Sequence, residues 1–395
     1  MANIFRIQKL NNIADAGLEQ LPRSRYEIAS EFQGPDAILL RSFNMHDMDI
    51  ASSVLAIARA GAGVNNIPVG EMTARGVPVF NAPGANANAV KELVLAGMLI
   101  AARNLLAASE YTRGLELTGK ELAKAVEAGK KQFVGYELPR RRLGVIGLGA
   151  IGVKVANAAY DLGMDVTGYD PSITVTSAWQ LSSGVKKAVS IDDLLSRSDM
   201  VTIHVPSNDK TRGLINAERL GLMPDRSVLL NFSRGDVVYT PAVSDALAAG
   251  KLATYVTDFP DAKLIPNPQV ISLPHLGAST AEAEENCAVM VARQLREYLE
   301  NGNVTNSVNF PETVLARTRD HRLAIPHKNI PNMVAQILST LAAENNNIAD
   351  LVNHSRDTVS HTIVDLDAPV SDEAVAKIQA IDGILSVRVL PIYND

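Results

Sequence analysis

The sequence predicts an α/β protein in three parts: a small α/β lobe, a doubly wound parallel sheet, and a C-terminal domain of ferredoxin-like pattern. Three observations carry this. Six short, mostly β-branched runs alternate with helical spacing between Arg142 and Pro274, and buried strands separated by helices imply a parallel sheet covered on both faces. A glycine fingerprint follows the first of those strands. The last 75 residues read strand, helix, strand, strand, helix, strand, which is the split βαβ order.

Within the first 85 residues, Ala37–Arg41 and Val77–Asn81 read as strands punctuated by Gly and Pro. Asn88–Ser109 has helical apolar spacing and predicts one long helix joining two lobes. The sheet strands that follow are Leu143–Ile146, Val166–Tyr169, Val201–His204, Val228–Asn231, Tyr255–Thr257 and Val270–Leu273. Ala281–Glu300 is a long helical pattern that returns the chain to the first lobe, and Asn301-Gly302-Asn303 stops it. Residues 304–320 are polar, carry Pro311 and read as a linker. The tail then runs Arg322–Ile325, Pro331–Glu344, Ile348–Asn353, Val359–Leu366, Ser371–Ala380 and Leu385–Leu390.

Composition excludes several classes. A chain of 395 residues, 47% hydrophobic and 20% charged, is globular rather than disordered and long enough for two or three domains. Lys and Arg number 37 against 43 acidic residues, so the basic surplus that nucleic-acid binding requires is absent. Cys287 is the single cysteine, which forbids an intramolecular disulfide and suits a reducing, cytoplasmic setting. The longest apolar run, Leu93–Ala102, is half of what a membrane helix needs. Met1–Asn12 lacks the order of a signal peptide. The histidines are scattered, so no metal site is expected.

The segment Leu143-Gly-Val-Ile-Gly147-Leu-Gly149-Ala-Ile-Gly152 is G-x-G-x-x-G directly after a strand. Gly147 permits a tight turn, Gly149 lets the backbone approach a pyrophosphate, and Gly152 lets the helix pack against the strand. That helix presents its N-terminus, with unpaired N–H groups, to the phosphates. The next strand ends at Asp170, where a carboxylate would accept from the adenosine ribose hydroxyls and repel a 2′-phosphate. Pro171-Ser172 offers no arginine to offset that repulsion, so NAD is expected over NADP.

Two side chains fall at the carboxyl edge of the same sheet, where open α/β sheets bind ligands. Arg234, in Asn231-Phe-Ser-Arg234-Gly-Asp236, could grip a carboxylate bidentately and polarise a neighbouring carbonyl. His275, in Leu273-Pro-His275-Leu-Gly277, is of the residue type that serves as a proton carrier.

In order and spacing, the fingerprint, Ser233-Arg234-Gly235 and Pro274-His275-Leu276-Gly277 resemble the D-isomer-specific 2-hydroxyacid dehydrogenase family, and among its members the phosphoglycerate-oxidising subgroup. The resemblance covers nearly the whole chain. It implies a discontinuous flavodoxin-like substrate domain (1–88 and 286–308), a Rossmann-type NAD domain (89–285) and a C-terminal ACT domain (318–395). It implies that Arg234 binds and polarises the 2-oxo acid and that His275 exchanges the proton. Ala150 and Ile151 would face the pyrophosphate, His204-Val205-Pro206 would border the adenosine, and Asp258 would meet the nicotinamide carboxamide, with Phe232, Ser233 and Gly277 also lining the cofactor. The family's glutamate partner of the catalytic histidine has no match in Thr257-Asp258-Phe-Pro-Asp261-Ala-Lys263. Asp261 is the favoured substitute, and the alternatives are Asp258 or a His275 that works without a close carboxylate.

For the substrate, Ala60-Gly61-Ala62-Gly63 could form an anion nest of consecutive N–H groups, and the resemblance implies that Ala62 and Gly63 contact the carboxylate. It implies likewise that Arg41 reaches a phosphate. The Arg140–Arg142 run could add to this or be merely solvated. Asn81-Ala-Pro83-Gly84-Ala-Asn86 resembles the subgroup and could serve as a hinge.

The implied activity is oxidation of 3-phospho-D-glycerate to 3-phosphohydroxypyruvate, which opens L-serine biosynthesis, in a homodimer or homotetramer. The alternatives are reduction of hydroxypyruvate, glyoxylate or another unphosphorylated 2-oxo acid, and a non-catalytic NAD sensor. In the tail, His327, Asn329 and Asn347 match the ligand motif of ACT domains, which can bind L-serine. Asn332 stands where that motif carries glycine, and Asn tolerates a left-handed backbone better than most residues.

Overall fold

The computed structural model describes residues 4–393 and divides the chain into two compact units, Ala87–Thr280 and the segments either side of it. The first unit opens with five strands: β1 (Phe5–Leu10), β2 (Tyr26–Ala29), β3 (Ala37–Leu40), β4 (Ala56–Arg59) and β5 (Val79–Phe80). All pair in parallel, in the order β2-β1-β3-β4-β5, which is the flavodoxin-like arrangement. Only β3 and β5 are anticipated by the sequence. β4 is half alanine, a poor strand former, and burial between neighbours overrides that propensity.

The helix Ala281–Asn301 returns to this sheet. It packs so closely on Gly17 that a Cβ there would stand 2.5 Å from that of Ala288. Residues 304–320 are not a loose tether. Val304 bridges Thr313, Ser307 bridges Phe80, and Phe310 is buried in the first core.

The C-terminal strands are β13 (His321–Lys328), β14 (Ile348–Arg356), β15 (Val359–Leu366) and β16 (Arg388–Val389), with strand numbers 6–12 belonging to the second unit. Their antiparallel order β14-β15-β13-β16 is ferredoxin-like. Helices Met333–Ala343 and Asp372–Gln379 bury Ile337, Leu341 and Ile378 against it. This sheet lies in the same compact unit as the first one. His361 Nε2 meets the Gly302 carbonyl at 2.8 Å, and Arg388 donates to the Tyr298 and Leu299 carbonyls. Arg322 and Asp365, both fully buried, form a two-pronged ion pair at 2.5 and 2.8 Å.

The second unit holds β6 (Arg142–Ile146), β7 (Asp165–Tyr169), β8 (Lys186–Lys187), β9 (Met200–Ile203), β10 (Ser227–Asn231), β11 (Leu252–Thr257) and β12 (Val270–Ser272). All are parallel, in the order β12-β11-β10-β9-β6-β7-β8. The order reverses between β6 and β9, the switch point where dinucleotides bind. The expected single helix from Asn88 is broken. Ala87–Arg103 ends, Asn104 takes φ +51°, and Leu105–Arg113 departs at 66°. Asparagine accepts that left-handed turn at low cost, and helical periodicity does not reveal it. Among the described residues no single helix is long and apolar enough to cross a membrane.

Candidate active site

The glycine fingerprint is shaped as its spacing requires. Gly147 has φ +91°, and a Cβ there would lie 2.5 Å from the His204 carbonyl oxygen. A Cβ on Gly152 would overlap the Gly147 carbonyl oxygen. At Gly149, by contrast, a Cβ would meet nothing within 4 Å, so the space above the start of helix Ala150–Asp161 is open to a ligand. That helix has no side-chain cap, which leaves its first N–H groups for phosphate oxygens. Asp170 accepts from the Leu148 and Ser172 amides, both at 2.8 Å. These bonds hold the carboxylate at the end of β7 with lone pairs to spare for ribose hydroxyls. His204 bonds Thr202 through Nε2 at 2.9 Å, while its enclosed Nδ1 has no partner. Burial pushes this imidazole down to about 3, so it is neutral. Val205 and Pro206 continue the strand end.

At the end of β10, the buried Asn231 side chain organises the turn. Its Oδ1 accepts from the Ser233 amide and hydroxyl, and its Nδ2 donates to the Arg234 carbonyl at 2.9 Å. Phe232 packs inward on Gly97, where a Cβ would come within 3.1 Å of its ring. The Arg234 side chain is exposed. It donates to the Ser233 carbonyl at 2.6 Å, and no carboxylate among the described residues bridges it.

Asp258 ends β11 almost fully buried. Its Oδ2 accepts from the Gly277 amide at 3.1 Å, and its Oδ1 has no partner. Burial raises the carboxyl above its ordinary range, and the opposing pull comes first from the His275 imidazole. His275 sits at φ +51°, a conformation uncommon outside glycine and held at a cost of roughly 1–3 kcal/mol. Its amide donates to the Asp258 and Leu273 carbonyls, both at 3.0 Å, and its ring lies 4.8 Å from that of Phe259. The chain thus spends strain to present this ring at the sheet edge.

Asp261, favoured from the sequence as the partner of His275, is placed elsewhere. Its Oδ1 caps the Lys263 amide at 2.8 Å in a local turn, and it has no bond to His275. Asp258 is the carboxyl on which the His275 imidazole acts, against the larger effect of burial.

The residues expected at the substrate lie in the first unit. Arg41 ends β3, and its guanidinium pairs with Glu284 at 2.7 Å. Gly61 has φ +153°, a Cβ there would overlap the Arg59 guanidinium, and Asn81 Nδ2 donates to the Ala62 carbonyl at 2.6 Å. Gly63 follows in the same turn. Glu284 and Arg59 were not singled out from the sequence, and no local pattern marks them. Cys287 is buried with its thiol pushed up by burial, consistent with a packed residue.

In the tail, His327 is tied into the sheet. Its Nδ1 meets the Lys328 carbonyl, and its Nε2 meets Thr362 and Asn353. Asn329 donates to the Asp357 carbonyl and Asn347 to the Asp367 carboxylate, so the three do not bond one another. Asn332 does take the left-handed turn, at φ +70°.

Residues 95–277 match the model of the D-isomer specific 2-hydroxyacid dehydrogenase NAD-binding domain. A D-3-phosphoglycerate dehydrogenase of Haemophilus influenzae is 33% identical over 87% of this chain and 83% of its own length. The chain belongs to this dehydrogenase family. A D-3-phosphoglycerate dehydrogenase of Methanocaldococcus jannaschii is 34% identical over 80% of this chain, which spans 60% of that protein's length. The NAD+-bound 3-phosphoglycerate dehydrogenase of Entamoeba histolytica superposes with a TM-score of 0.61 at 23% identity, over 78% of this chain and 99% of its own, and so shares the family fold. The cofactor of the family domain is NAD, and the open cradle at Gly149 and the unpaired Asp258 Oδ1 fit it.

Proposed function

We propose that this protein oxidises 3-phospho-D-glycerate to 3-phosphohydroxypyruvate with NAD, as the first step of L-serine biosynthesis in the cytoplasm. The observation that carries the chemistry is the grouping of Arg234, His275 and buried Asp258 around the strand ends of one sheet. The similarity to D-3-phosphoglycerate dehydrogenases supports the choice of substrate.

NAD, when bound, supplies the hydride acceptor. Arg234 holds the substrate carboxylate and polarises the C2 oxygen, which favours the carbonyl-like transition state. His275 takes the C2 hydroxyl proton as general base. Asp258 stabilises the imidazolium that results, while its second oxygen accepts from the carboxamide. Asp258 therefore takes the role the sequence favoured for Asp261. Ala62, Gly63 and Arg41 bind the carboxylate and phosphate ends of the substrate. NADH absorbance with 3-phospho-D-glycerate, against D-lactate and D-glycerate, tests the reading. Selective turnover of the phosphorylated acid supports it, and equal or absent turnover rejects it.

One observation favours an unphosphorylated 2-hydroxy acid instead: Glu284 already occupies Arg41. Replacing Arg41 by Ala separates the two, because only a phosphorylated substrate loses affinity.

The tail is read as a serine-responsive domain, supported by its sheet order. A homodimer or homotetramer is supported by the exposed Leu105, Leu106 and Val134. Velocity and Tm at saturating L-serine, and sedimentation of the whole chain, test these two points.

A further inference from the structure

A cavity of about 920 Å³ lies in the first unit, walled by helix Ala281–Asn301, the segment 317–320 and the end of the described chain at Tyr393. Its polar wall is cationic. Arg25, Arg293, Arg296, Arg317 and Arg319 line it with three acids, Glu297, Glu300 and Asp320, and Arg319 is paired with a fourth, Asp367, at 2.9 Å. Two of those acids are already committed. Glu300 accepts from Tyr26 at 2.7 Å, Arg296 at 3.2 Å and Arg25 at 3.4 Å. Glu297 is held by the neutral amides of Asn301 and Asn303.

Two arginines have neutral partners only. Arg317 donates to the carbonyls of Glu300, Arg319 and Asp320. Arg293 donates to the Gln20 side chain at 3.0 Å. No carboxylate among the described residues bridges either. Burial first, then the neighbouring Arg322 charge, draws the Arg317 guanidinium below its ordinary value, so a bound anion would relieve it.

The independent observation is Gln294. It is 6% exposed, lines the cavity, and has no hydrogen-bond partner at either Nε2 or Oε1. Buried amides are almost always satisfied, and an enclosed amide on the cavity wall with no protein partner at either end can turn toward a polar ligand there.

We propose that this cavity binds a small polyanionic metabolite, one carrying two or more carboxylate or phosphate groups. Guanidinium groups suit either anion by paired donation, and Gln294 can donate to an anionic oxygen or accept from a hydroxyl. The Ile392 and Tyr393 side chains supply an apolar edge. The site is separate from Arg41, although helix Ala281–Asn301 carries both Glu284 and the cavity wall. Occupancy therefore clamps the segment leading into β13 onto that helix.

The test is isothermal titration of the full chain at low ionic strength with inorganic pyrophosphate and, separately, citrate. These probes distinguish a phosphate from a carboxylate ligand. Saturable binding by either is expected, together with a rise in Tm. Arg317→Met should weaken it by roughly tenfold or more, and kcat for the substrate should be unchanged. Arg317 also ties down backbone, so Arg293→Glu, at an exposed position, gives a second variant that keeps the fold and should weaken binding comparably. Arg234→Gln should leave this binding intact, which separates it from anions at the active site. Absence of saturable binding, or an affinity unmoved in Arg293→Glu but lost in Arg234→Gln, overturns the proposal. None of these outcomes depends on turnover of 3-phosphoglycerate.

Discussion

Two buried polar networks in this molecule are finished differently. In the C-terminal sheet, Arg322 and Asp365 close on each other, and the remaining guanidinium protons go to the carbonyls of Asn301, Leu315 and Ala316. At the strand ends of the seven-stranded sheet, Asp258 is equally enclosed and His204 is half-buried, yet each keeps one enclosed polar atom without a partner. A polar group left open in a low-dielectric setting costs stability. The Arg322–Asp365 network closes itself. The open atoms of Asp258 and His204 stand at the strand ends where a ligand of this sheet can complete them.

The contrast is broken most sharply by activity. His275→Ala should lower kcat/KM by about 10²–10⁴-fold, the usual range for a lost general acid–base. Its Tm should change little, because the ring is exposed and alanine keeps the Cβ that the left-handed backbone strains. A collapse of Tm at unchanged kcat/KM would make His275 structural.

Arg322→Met should act in the opposite sense. Breaking a buried pair while leaving Asp365 charged costs about 3–5 kcal/mol, visible as a lower denaturant midpoint, while kcat/KM with NAD in excess changes little. A midpoint within error of the parent would show that the pair contributes nothing.

His361 gives a pH-dependent version. Burial depresses its imidazole to about 4 in the folded chain, against about 6.5 unfolded. Its contribution is therefore complete above about pH 6.5 and is lost as pH falls towards 4, by on the order of 3 kcal/mol. His361→Gln can retain the bond to the Gly302 carbonyl and should flatten the acid limb of a Tm–pH curve. An unchanged limb would assign the acid sensitivity elsewhere.

Asp258→Asn sharpens the comparison further. Asparagine offers one oxygen where the carboxylate offers two, so it can serve the Gly277 amide or the cofactor but not both. NAD affinity should fall by about tenfold, or about 1.4 kcal/mol. Because the folded carboxyl is raised, its contribution to stability is present at acid pH and is lost as pH rises through that elevated value. The variant should therefore be the more stable protein at neutral pH. Equal NAD affinity would remove Asp258 from the site.

The smallest effect on stability belongs to Arg41→Ala. The pair with Glu284 is partly exposed, and such pairs contribute about 0–1 kcal/mol. KM for the phosphorylated acid should nevertheless rise while that for D-glycerate does not.

Much of this was readable along the chain because it rests on local chemistry. The fingerprint Gly147-x-Gly149-x-x-Gly152 reports backbone angles and close approaches that only glycine allows. The alternation from β6 to β12 reports burial on both faces. Arg234 and His275 stand where strands of a parallel sheet end. The order of elements in the tail was enough for its topology, and Asn332 announced its own left-handed turn.

What the chain order left open concerns partners brought together by folding. Asp258 and Asp261 lie on one loop, and their composition is identical. The fold ties Asp261 into a local turn at Lys263 and seats Asp258 beneath the Gly277 amide, and chain order does not separate the two. Arg41 and Glu284 lie in the two separate segments of the first unit, and only the return of helix Ala281–Asn301 pairs them. The same helix lines the arginine cavity with Gln294, and the docking of the C-terminal sheet beside it turns an expected linker into a wall. Residue type and periodicity determined the main strands of the seven-stranded sheet, the order of the tail and the glycine cradle for the cofactor, because those depend on neighbours near in sequence. Which charges are neutralised and which polar atoms stay open was decided by tertiary packing alone, because electrostatic pairing depends on distance in space.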